Sequence, residues 1–257
     1  MKKISKVLIA SSFMFVSINA FASLDECTSA GLAKDYNAVI KYCKPYINTN
    51  KDALSVLTGA YAQLDRGIEA QKYGQLYIDK YSKDTDKESL GLAYLGVGNY
   101  YYFGEDGAKK DTKKGLQYIT KGAELGNVTA QEQLGSFYGA TKADGVNKNF
   151  SESYYWYTLS KGNNGNDYTN SYVYVNLDTF KKSFPTCIAI GDNMVAKAYL
   201  DGKGGLPVDT TEAKEYLEKA ISLYKQSKEP TANELKYCKP VSDDLNLAGA
   251  QKLLASL

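Results

Sequence analysis

The chain has 257 residues and contains no histidine, which excludes a histidine-based triad, a histidine-bound metal and an HExxH protease site. It carries 31 basic and 29 acidic residues, and three of the lysines lie in the first 22 residues, so the rest of the chain is close to neutral. Arg66 is the only arginine, and a neutral chain with one bidentate donor is poorly suited to bind nucleic acid.

The first 22 residues have the composition of an export signal. Lysines precede an apolar run over 7–18 that is too short to span a bilayer, and Ala20 and Ala22 supply the small residues that a signal peptidase requires. No second apolar stretch of spanning length follows, so we expect no membrane insertion. We expect a cleaved signal peptide at 1–22, a single domain at 23–257, and location in the periplasm or release from the cell.

The rest of the chain is predicted to form consecutive antiparallel pairs of helices. Apolar residues recur with helical spacing, and glycine, asparagine, aspartate or proline separates the segments. The five pairs are 24–33 with 36–46, 51–64 with 67–81, 87–103 with 111–125, 129–141 with 150–161, and 186–200 with 210–224. After these, a short helix over 231–238 and a helix over 243–257, capped by Ser242 or Asp243, form a C-terminal cap at 231–257.

The segment 163–185 interrupts the pairs and is predicted to be an irregular insertion. Glycine and asparagine at its start favour a loop, and Tyr172 and Tyr174 alternate with valines as in extended chain. Long loops inside compact arrays are often functional, so Tyr168, Tyr172 and Tyr174 are candidate partner-binding residues. The alternative is a variable surface loop whose aromatic residues only hold it in place.

Four cysteines in an exported chain are expected to be oxidised, and they allow three pairings. Cys27 and Cys43 fall at similar heights on the two helices of the first pair, as a disulfide requires. The sequence Lys-Tyr-Cys-Lys-Pro surrounds both Cys43 and Cys238, each near a helix end. We therefore favour disulfides between Cys27 and Cys43 and between Cys187 and Cys238, one at each end of the array.

A helical pattern recurs four times in register. Each copy has a tyrosine with small residues three and eight positions before it and an apolar residue four positions before it; the tyrosines are Tyr61, Tyr101, Tyr138 and Tyr199. The intervals between them are 40, 37 and 61 residues, a size typical of stacked units of two helices. Such arrays usually bind other proteins.

A second set of spacings recurs in the last three pairs. A glycine loop precedes a capping residue, a small residue follows four positions later, and an aromatic residue follows three after that. The residues are Asp111, Gly115 and Tyr118, then Asn149, Ser153 and Trp156, then Asp209, Ala213 and Tyr216. With Tyr118-Ile-Thr-Lys-Gly-Ala-Glu-Leu-Gly126 and the pair Trp156-Tyr157, the chain resembles the Sel-one-like repeat, a branch of the tetratricopeptide superfamily.

This resemblance implies an all-α fold, a right-handed α-solenoid of about five antiparallel helix pairs with a C-terminal capping helix. It implies binding to another protein by a chain that is a monomer when free. In such arrays the first helix of each pair lines the concave face, which makes Tyr100, Phe103, Phe137 and Lys197 candidate contact residues. The chain has 23 tyrosines, a residue enriched in interfaces, although covering the flanks of the fold is an equal alternative for those outside the repeat pattern.

The resemblance also suggests a role in the bacterial envelope. The expected role is an interaction scaffold or inhibitor, such as an immunity protein that neutralises a type VI secreted antibacterial effector, for example a lipase. One alternative is a secreted host-interaction factor. Another is a β-lactam-binding or β-lactamase-like enzyme, since Ser222-Leu-Tyr-Lys225 fits Ser-x-x-Lys, but neither Lys-Thr-Gly nor Ser-Asp-Asn accompanies it. We expect no catalytic residue, no cofactor and no metal, because acid pairs such as Glu105-Asp106 fall in turns.

Overall fold

The computed structural model describes residues 23–140, 143–165, 177–227 and 230–257, and these residues form helices and turns without a strand. The helices are α1 (Leu24–Leu32), α2 (Tyr36–Cys43), α3 (Lys51–Gln63), α4 (Gly67–Tyr81), α5 (Lys87–Phe103), α6 (Thr112–Glu124), α7 (Val128–Gly139), α8 (Phe150–Gly162), α9 (Leu177–Ser183), α10 (Pro185–Asp201), α11 (Thr210–Gln226), α12 (Ala232–Tyr237) and α13 (Leu247–Ala255). The predicted all-α architecture is confirmed.

Successive helix pairs stack in chain order. The pairs are α1–α2, α3–α4, α5–α6, α7–α8 and α10–α11, and each packs on the next through α2 on α3, α4 on α5, α6 on α7, and α8 on α10. The final helix α13 packs on α11 and covers the end of the stack. This is the arrangement of an α-solenoid, in which each unit buries apolar surface against its neighbours.

Polar side chains at the helix starts determine where the second helices begin. Asp111 accepts a hydrogen bond from the backbone N–H of Lys114 at 3.0 Å, and Asp209 accepts one from the backbone N–H of Thr211 at 2.8 Å. Asn149 caps α8 in the same way. The three caps predicted from the repeat spacing are therefore confirmed, and each contributes about 1 kcal/mol by satisfying a free backbone donor.

The core runs through the stack as three neighbouring clusters of apolar side chains. Its fully buried members include Leu57 near the N-terminal end, Leu134 and Leu159 in the middle, and Ile188 and Leu217 near the C-terminal end. Of the four repeat tyrosines, Tyr61 is buried, and the other three are partly exposed. The repeat tyrosines therefore lie at the edge of the core in most pairs.

Two disulfides lie near the two ends of this stack. Cys27 is bonded to Cys43, with their Cα atoms 4.7 Å apart, and Cys187 is bonded to Cys238, with Cα atoms 5.1 Å apart. All four cysteines are used. The favoured pairing is confirmed, and the second bond ties the segment after α12 to the first helix of the last pair.

Most helix ends lie within one or two residues of the sequence-based expectation, and three differences are larger. Helix α2 ends at Cys43 because Pro45 lies in a 3-10 turn, Lys44–Tyr46. Helix α13 begins at Leu247 rather than at 243, because Asn246 supplies the cap by accepting a hydrogen bond from the Gly249 N–H at 2.9 Å. Within the segment predicted to be irregular, α9 forms because Phe180 packs into the core.

Among the described residues, no helix combines the length and the apolar character needed to cross a membrane. The predicted signal peptide at 1–22 lies outside the described residues.

Helices α5 and α6 cross so closely that only glycine fits at position 115. A Cβ atom on Gly115 would lie 2.4 Å from the backbone nitrogen of Tyr102. The next two pairs have Ser153 and Ala213 at the equivalent place, and both are fully buried. The small residue of the repeat is therefore required by helix packing.

Gly115→Ala is expected to destabilise the protein by about 1–3 kcal/mol, because the added methyl group forces the two backbones apart. The matched control is Gly96→Ala, inside the partner helix α5, where a Cβ would meet nothing within 4 Å. This control is expected to stabilise the protein by about 0.5–1 kcal/mol through helix propensity. Urea unfolding measures both effects, and equal effects of the two substitutions would contradict the close crossing.

Candidate functional site

A groove of about 500 Å³ lies between the first helices of the second and third pairs, α3 and α5. Ala70 of α4 and Leu92 and Tyr100 of α5 line it. Gly59 and Gly96 face it as well, and a Cβ at either position would meet nothing within 4 Å. Neither glycine is required by packing within the chain, although each weakens its helix by roughly 0.5–1 kcal/mol relative to alanine.

An aromatic cluster continues from this groove towards α7. The ring of Tyr102 stacks on Phe137 with centroids 4.6 Å apart, and the ring of Phe103 meets Tyr102 edge-on at 4.9 Å. Tyr102 is buried, and its hydroxyl donates to the Asp144 carbonyl at 2.9 Å. Phe103 remains 44% exposed. The exposed ring of Phe103 therefore packs against Tyr102, which is buried and hydrogen-bonded.

We call Leu92, Gly96, Tyr100, Phe103 and Phe137 the first-helix surface. Leu92 is 62% exposed, and Leu92, Gly96, Tyr100 and Phe103 recur at helical spacing along α5. Burial raises the pKa of the Tyr100 hydroxyl, and the carboxylates of Asp106, Glu105 and Asp65 raise it further. Tyr100 is therefore neutral at physiological pH.

The repeat tyrosines face a charged residue that lies three positions after each helix cap. Lys114 donates to the Tyr101 hydroxyl at 2.8 Å. Burial raises the pKa of Tyr138 to about 12, and the nearby Glu152 carboxylate contributes to the rise. Burial raises the pKa of Tyr199, and the Glu212 carboxylate raises it further. The same place in the repeat thus holds a lysine in one pair and glutamates in two others.

Glu152 differs from its repeat equivalents because it is only 8% exposed. It lines two hollows, one of about 880 Å³ and one of about 570 Å³, which also share Val241. Burial raises the pKa of the Glu152 carboxyl to about 7, and the Trp156 indole partly offsets this rise. The Trp156 Nε1–H is buried and makes no aligned hydrogen bond.

The smaller hollow, which we call the Glu152 pocket, has an acidic and aromatic lining. Trp156 and Tyr155 contact each other with ring centroids 4.9 Å apart, and both line the pocket. Burial raises the pKa of Tyr155, and the carboxylates of Glu152, Glu124 and Asp201 raise it further. Three carboxylates therefore face one aromatic wall.

The lysines at this pocket are already paired. Lys197 forms an ion pair with Asp244 at 2.5 Å, and Lys203 forms one with Asp201 at 2.7 Å. Within the described parts of the chain, Glu124 and Glu152 have no such cationic partner. The lining therefore has excess negative charge.

The residues that cover Glu152 come from the C-terminal segment, which we define as 235–246. The Cys187–Cys238 disulfide and the Lys197–Asp244 ion pair attach this segment to α10. The Asn149 side chain donates to the Lys239 carbonyl at 3.0 Å. Just before the segment, the buried Glu234 accepts a hydrogen bond from the Thr186 backbone N–H at 3.0 Å. The segment is thus fixed to both α8 and α10.

The structure brings together three of the predicted contact residues. Tyr100, Phe103 and Phe137 belong to the first-helix surface, whereas Lys197 lies at the Glu152 pocket and is paired with Asp244. Tyr168, Tyr172 and Tyr174 lie outside the described residues. Sequence reasoning missed Leu92, Glu152 and the polar edge of Trp156. The repeat register indicates that Glu152 faces Tyr138, but it gives no sign of the segment that buries it.

The Ser-x-x-Lys match lies on α11, where Ser222 and Lys225 are both exposed. Ser222 borders a hollow of about 690 Å³ that also contacts Asp192. Burial raises the pKa of the Asp192 carboxyl to about 7, against the opposing effect of a hydrogen bond from the Tyr154 hydroxyl at 2.8 Å. Across the described residues, no group of three or more Cys, Asp or Glu side chains is placed to hold a metal.

Comparison with known proteins identifies the repeats. The family model of the Sel1 repeat matches residues 89–127, 128–161 and 189–224, which correspond to the third, fourth and fifth helix pairs. The chain is similar to the crystal structure of a Sel1 repeat protein from Oxalobacter formigenes, with 19% identity, a TM-score of 0.47, and coverage of 91% of this chain and 99% of that one.

It is also similar to the crystal structure of c5321, a protective antigen present in uropathogenic Escherichia coli strains that displays an SLR fold. Here the identity is 18%, the TM-score is 0.35, and the match covers 91% of this chain and 59% of that one. Comparison with curated proteins gives no match.

Proposed function

Because the chain carries three Sel1 repeats, we propose that it is a scaffold that binds another protein in an exported, oxidising compartment such as the periplasm. We propose that it acts there as an inhibitor, as an immunity protein does when it covers the active site of a secreted antibacterial effector. The observation that carries the proposal is the first-helix surface.

The first-helix surface has the features of a protein-binding site. Leu92 and Phe103 are exposed in spite of their size, and Phe137 and Tyr100 extend the apolar area beside a groove. Exposed apolar residues that form a continuous patch on a folded chain are typical of interaction sites. The unfilled space at Gly59 and Gly96 allows the backbone of a partner to approach α3 and α5 closely.

The two disulfides support the proposed compartment. Disulfides persist in oxidising environments and are rare in the cytosol. Both bonds fix regions near the ends of the stack, where a solenoid lacks one neighbour. An array stabilised in this way presents a preorganised surface, which reduces the entropic cost of binding.

The experiment that tests the proposal is capture of partners by the chain from 23–257, with both disulfides formed, from bacterial envelope extracts and secreted fractions. Mass spectrometry identifies the captured proteins. A stoichiometric secreted hydrolase whose activity the protein blocks would support the inhibitor role. Absence of enrichment over a variant with Leu92, Phe103 and Phe137 all replaced by alanine would contradict binding through the first-helix surface.

Phe103→Ala is expected to weaken binding of the captured partner by about tenfold or more, because exposed aromatic anchors contribute a large share of interface energy. The matched control is Val208→Ala in the loop before α11, which removes an apolar side chain that is 70% exposed. Titration calorimetry measures both affinities. Unchanged affinity in the Phe103 variant, or an equal loss in the control, would exclude Phe103 from the interface.

A further inference from the structure

We propose that the Glu152 pocket binds the ammonium or guanidinium group of a lysine or arginine side chain, with Glu152 as its counter-ion and the rings of Trp156 and Tyr155 as its walls. This inference rests on the proposed function for the origin of the side chain, which is the partner protein. The chemistry of the pocket is independent of the partner and is tested separately.

Space and access are the first requirement. The pocket has a volume of about 570 Å³ and lies between α8, the end of α10 and the C-terminal segment. It continues past Glu152 and Val241 into the neighbouring hollow of about 880 Å³. A long basic side chain therefore has room to enter with its alkyl part against apolar atoms.

A buried carboxyl group without a cationic partner is the second requirement. Glu152 is more than nine-tenths buried, and in the described parts of the chain no cation is paired with it. Trp156 is 6% exposed, and its Nε1–H is near enough to the Glu152 carboxyl to lower the pKa of that group, although the two are not aligned as a full hydrogen bond. A buried carboxylate without a counter-ion is costly, and an incoming cation removes that cost.

The surrounding charges select a cation over an anion. Glu124 and Asp201 line the pocket together with Glu152, and all three raise the pKa of Tyr155. The lysines that line the pocket, Lys197 and Lys203, are held by Asp244 and Asp201. An aromatic wall beside carboxylates suits a guanidinium or ammonium group, which binds to the face of a ring as well as to the acid.

Lysines near the larger hollow do not occupy this place. Lys148 lies over the ring of Phe150 at 4.8 Å, and Lys236 lies over the ring of Tyr237 at 4.8 Å. Both line the larger hollow, as does Lys239, and in the described parts of the chain Glu152 forms an ion pair with none of the three. The carboxylate of Glu152 is left for a ligand that comes from outside the chain.

Trp156 is the only tryptophan, so its fluorescence reports directly on the pocket. The test is titration of the disulfide-bonded protein with n-butylguanidinium, excited where tyrosine does not absorb, with neutral n-butanol as the matched ligand. We expect a saturable change with n-butylguanidinium, weakened by about tenfold or more in Glu152→Gln, because a charge-assisted hydrogen bond is lost. The control Glu212→Gln removes a carboxylate at the equivalent repeat position and is expected to retain wild-type binding.

The absence of a saturable response, or equal responses in the wild type and Glu152→Gln, would overturn the proposal. Circular dichroism of Glu152→Gln is expected to match the wild type, because the change is isosteric. A second arm identifies the source of the cation. Release of a captured partner by n-butylguanidinium, but not by n-butanol, supports a side chain of that partner. A positive titration without such release would instead assign the pocket to a free organic cation and overturn the partner assignment.

Discussion

Raising the pH from about 4 to about 8 is expected to lower the free energy of unfolding by several kcal/mol, because two buried carboxyl groups hold their protons more tightly in the folded state than in the unfolded state. The pKa of Glu152 is raised to about 7, and that of Asp192 is also raised to about 7, in both cases by burial. In the unfolded chain both groups release their protons near pH 4, roughly the pKa of free carboxyls.

The sign follows from the proton count. Between about pH 4 and pH 7 the folded state keeps protons that the unfolded state has lost, so unfolding releases them and rising pH favours unfolding. The stabilisation is present below the unfolded pKa and is lost as the pH passes about 7. Each group accounts for about 4 kcal/mol, an order-of-magnitude figure from 1.4 kcal/mol per pKa unit.

Variants isolate this effect from the other carboxylates. Glu152→Gln cannot ionise, and Asp192→Asn keeps an oxygen that accepts the hydrogen bond from the Tyr154 hydroxyl. Each variant is expected to match the wild type near pH 4 and to exceed its stability by up to about 4 kcal/mol near pH 8. Urea unfolding across this range measures the difference. Curves that stay parallel to the wild type would show that these carboxyls ionise freely in the folded protein.

Replacing both Cys187 and Cys238 with alanine is expected to destabilise the protein by about 4 kcal/mol, because the bond closes a loop between residues that are 51 apart in sequence. The loss acts mainly on the unfolded state, which becomes less constrained. It also frees the C-terminal segment that covers Glu152 and Trp156. We therefore expect the Trp156 fluorescence to shift to longer wavelength in the folded variant.

The matched control is the replacement of Cys27 and Cys43, which closes a shorter loop, with a separation of 16, and is expected to cost about 3 kcal/mol. This control lies at the other end of the stack and is expected to leave the Trp156 spectrum unchanged. A spectral shift in the control, or none in the Cys187 and Cys238 variant, would contradict the role of the C-terminal segment as a cover.

The helix pairs could be predicted from sequence because their signals are local. Asp111 and Asn149 cap the helices that they were expected to cap, and Gly115 occupies a crossing that admits only a small residue. The cysteine pairs could be predicted for the same reason, since each lies near a helix end of known register. Short-range sequence spacing was therefore enough to predict the helix pairs and the disulfides.

The start of the last helix could not be predicted, because its competing cap residues have other partners. Ser242 donates a hydrogen bond at 2.6 Å to Asp244, which is itself paired with the distant Lys197. The backbone carbonyl of Asp243 accepts a hydrogen bond from the Asn246 side chain at 2.7 Å. Asn246 is left to cap α13. A choice among neighbouring capping residues depends on tertiary contacts that the local pattern does not contain.

The Glu152 pocket was also beyond the sequence pattern. The repeat register places Glu152, Lys114 and Glu212 at one position, and nothing local distinguishes the first of them. Its burial comes from the C-terminal segment, about ninety residues later in the chain, as the hydrogen bond from Asn149 to Lys239 shows. The positions of Tyr100 and Phe103 on one face of α5 follow from helical spacing, and their role as contact residues stays a prediction.

The order of the disulfides along the chain bears on how the protein matures. Each bond joins cysteines that are consecutive among the four, Cys27 with Cys43 and Cys187 with Cys238. If the chain is exported, as proposed, and emerges from a translocation channel N-terminus first, an oxidase that links each new thiol to the one still reduced produces this pattern directly. No bond has to be broken and remade by an isomerase, a step that otherwise proceeds through mixed disulfides. Oxidation in order of emergence therefore yields the native pairing in a single pass.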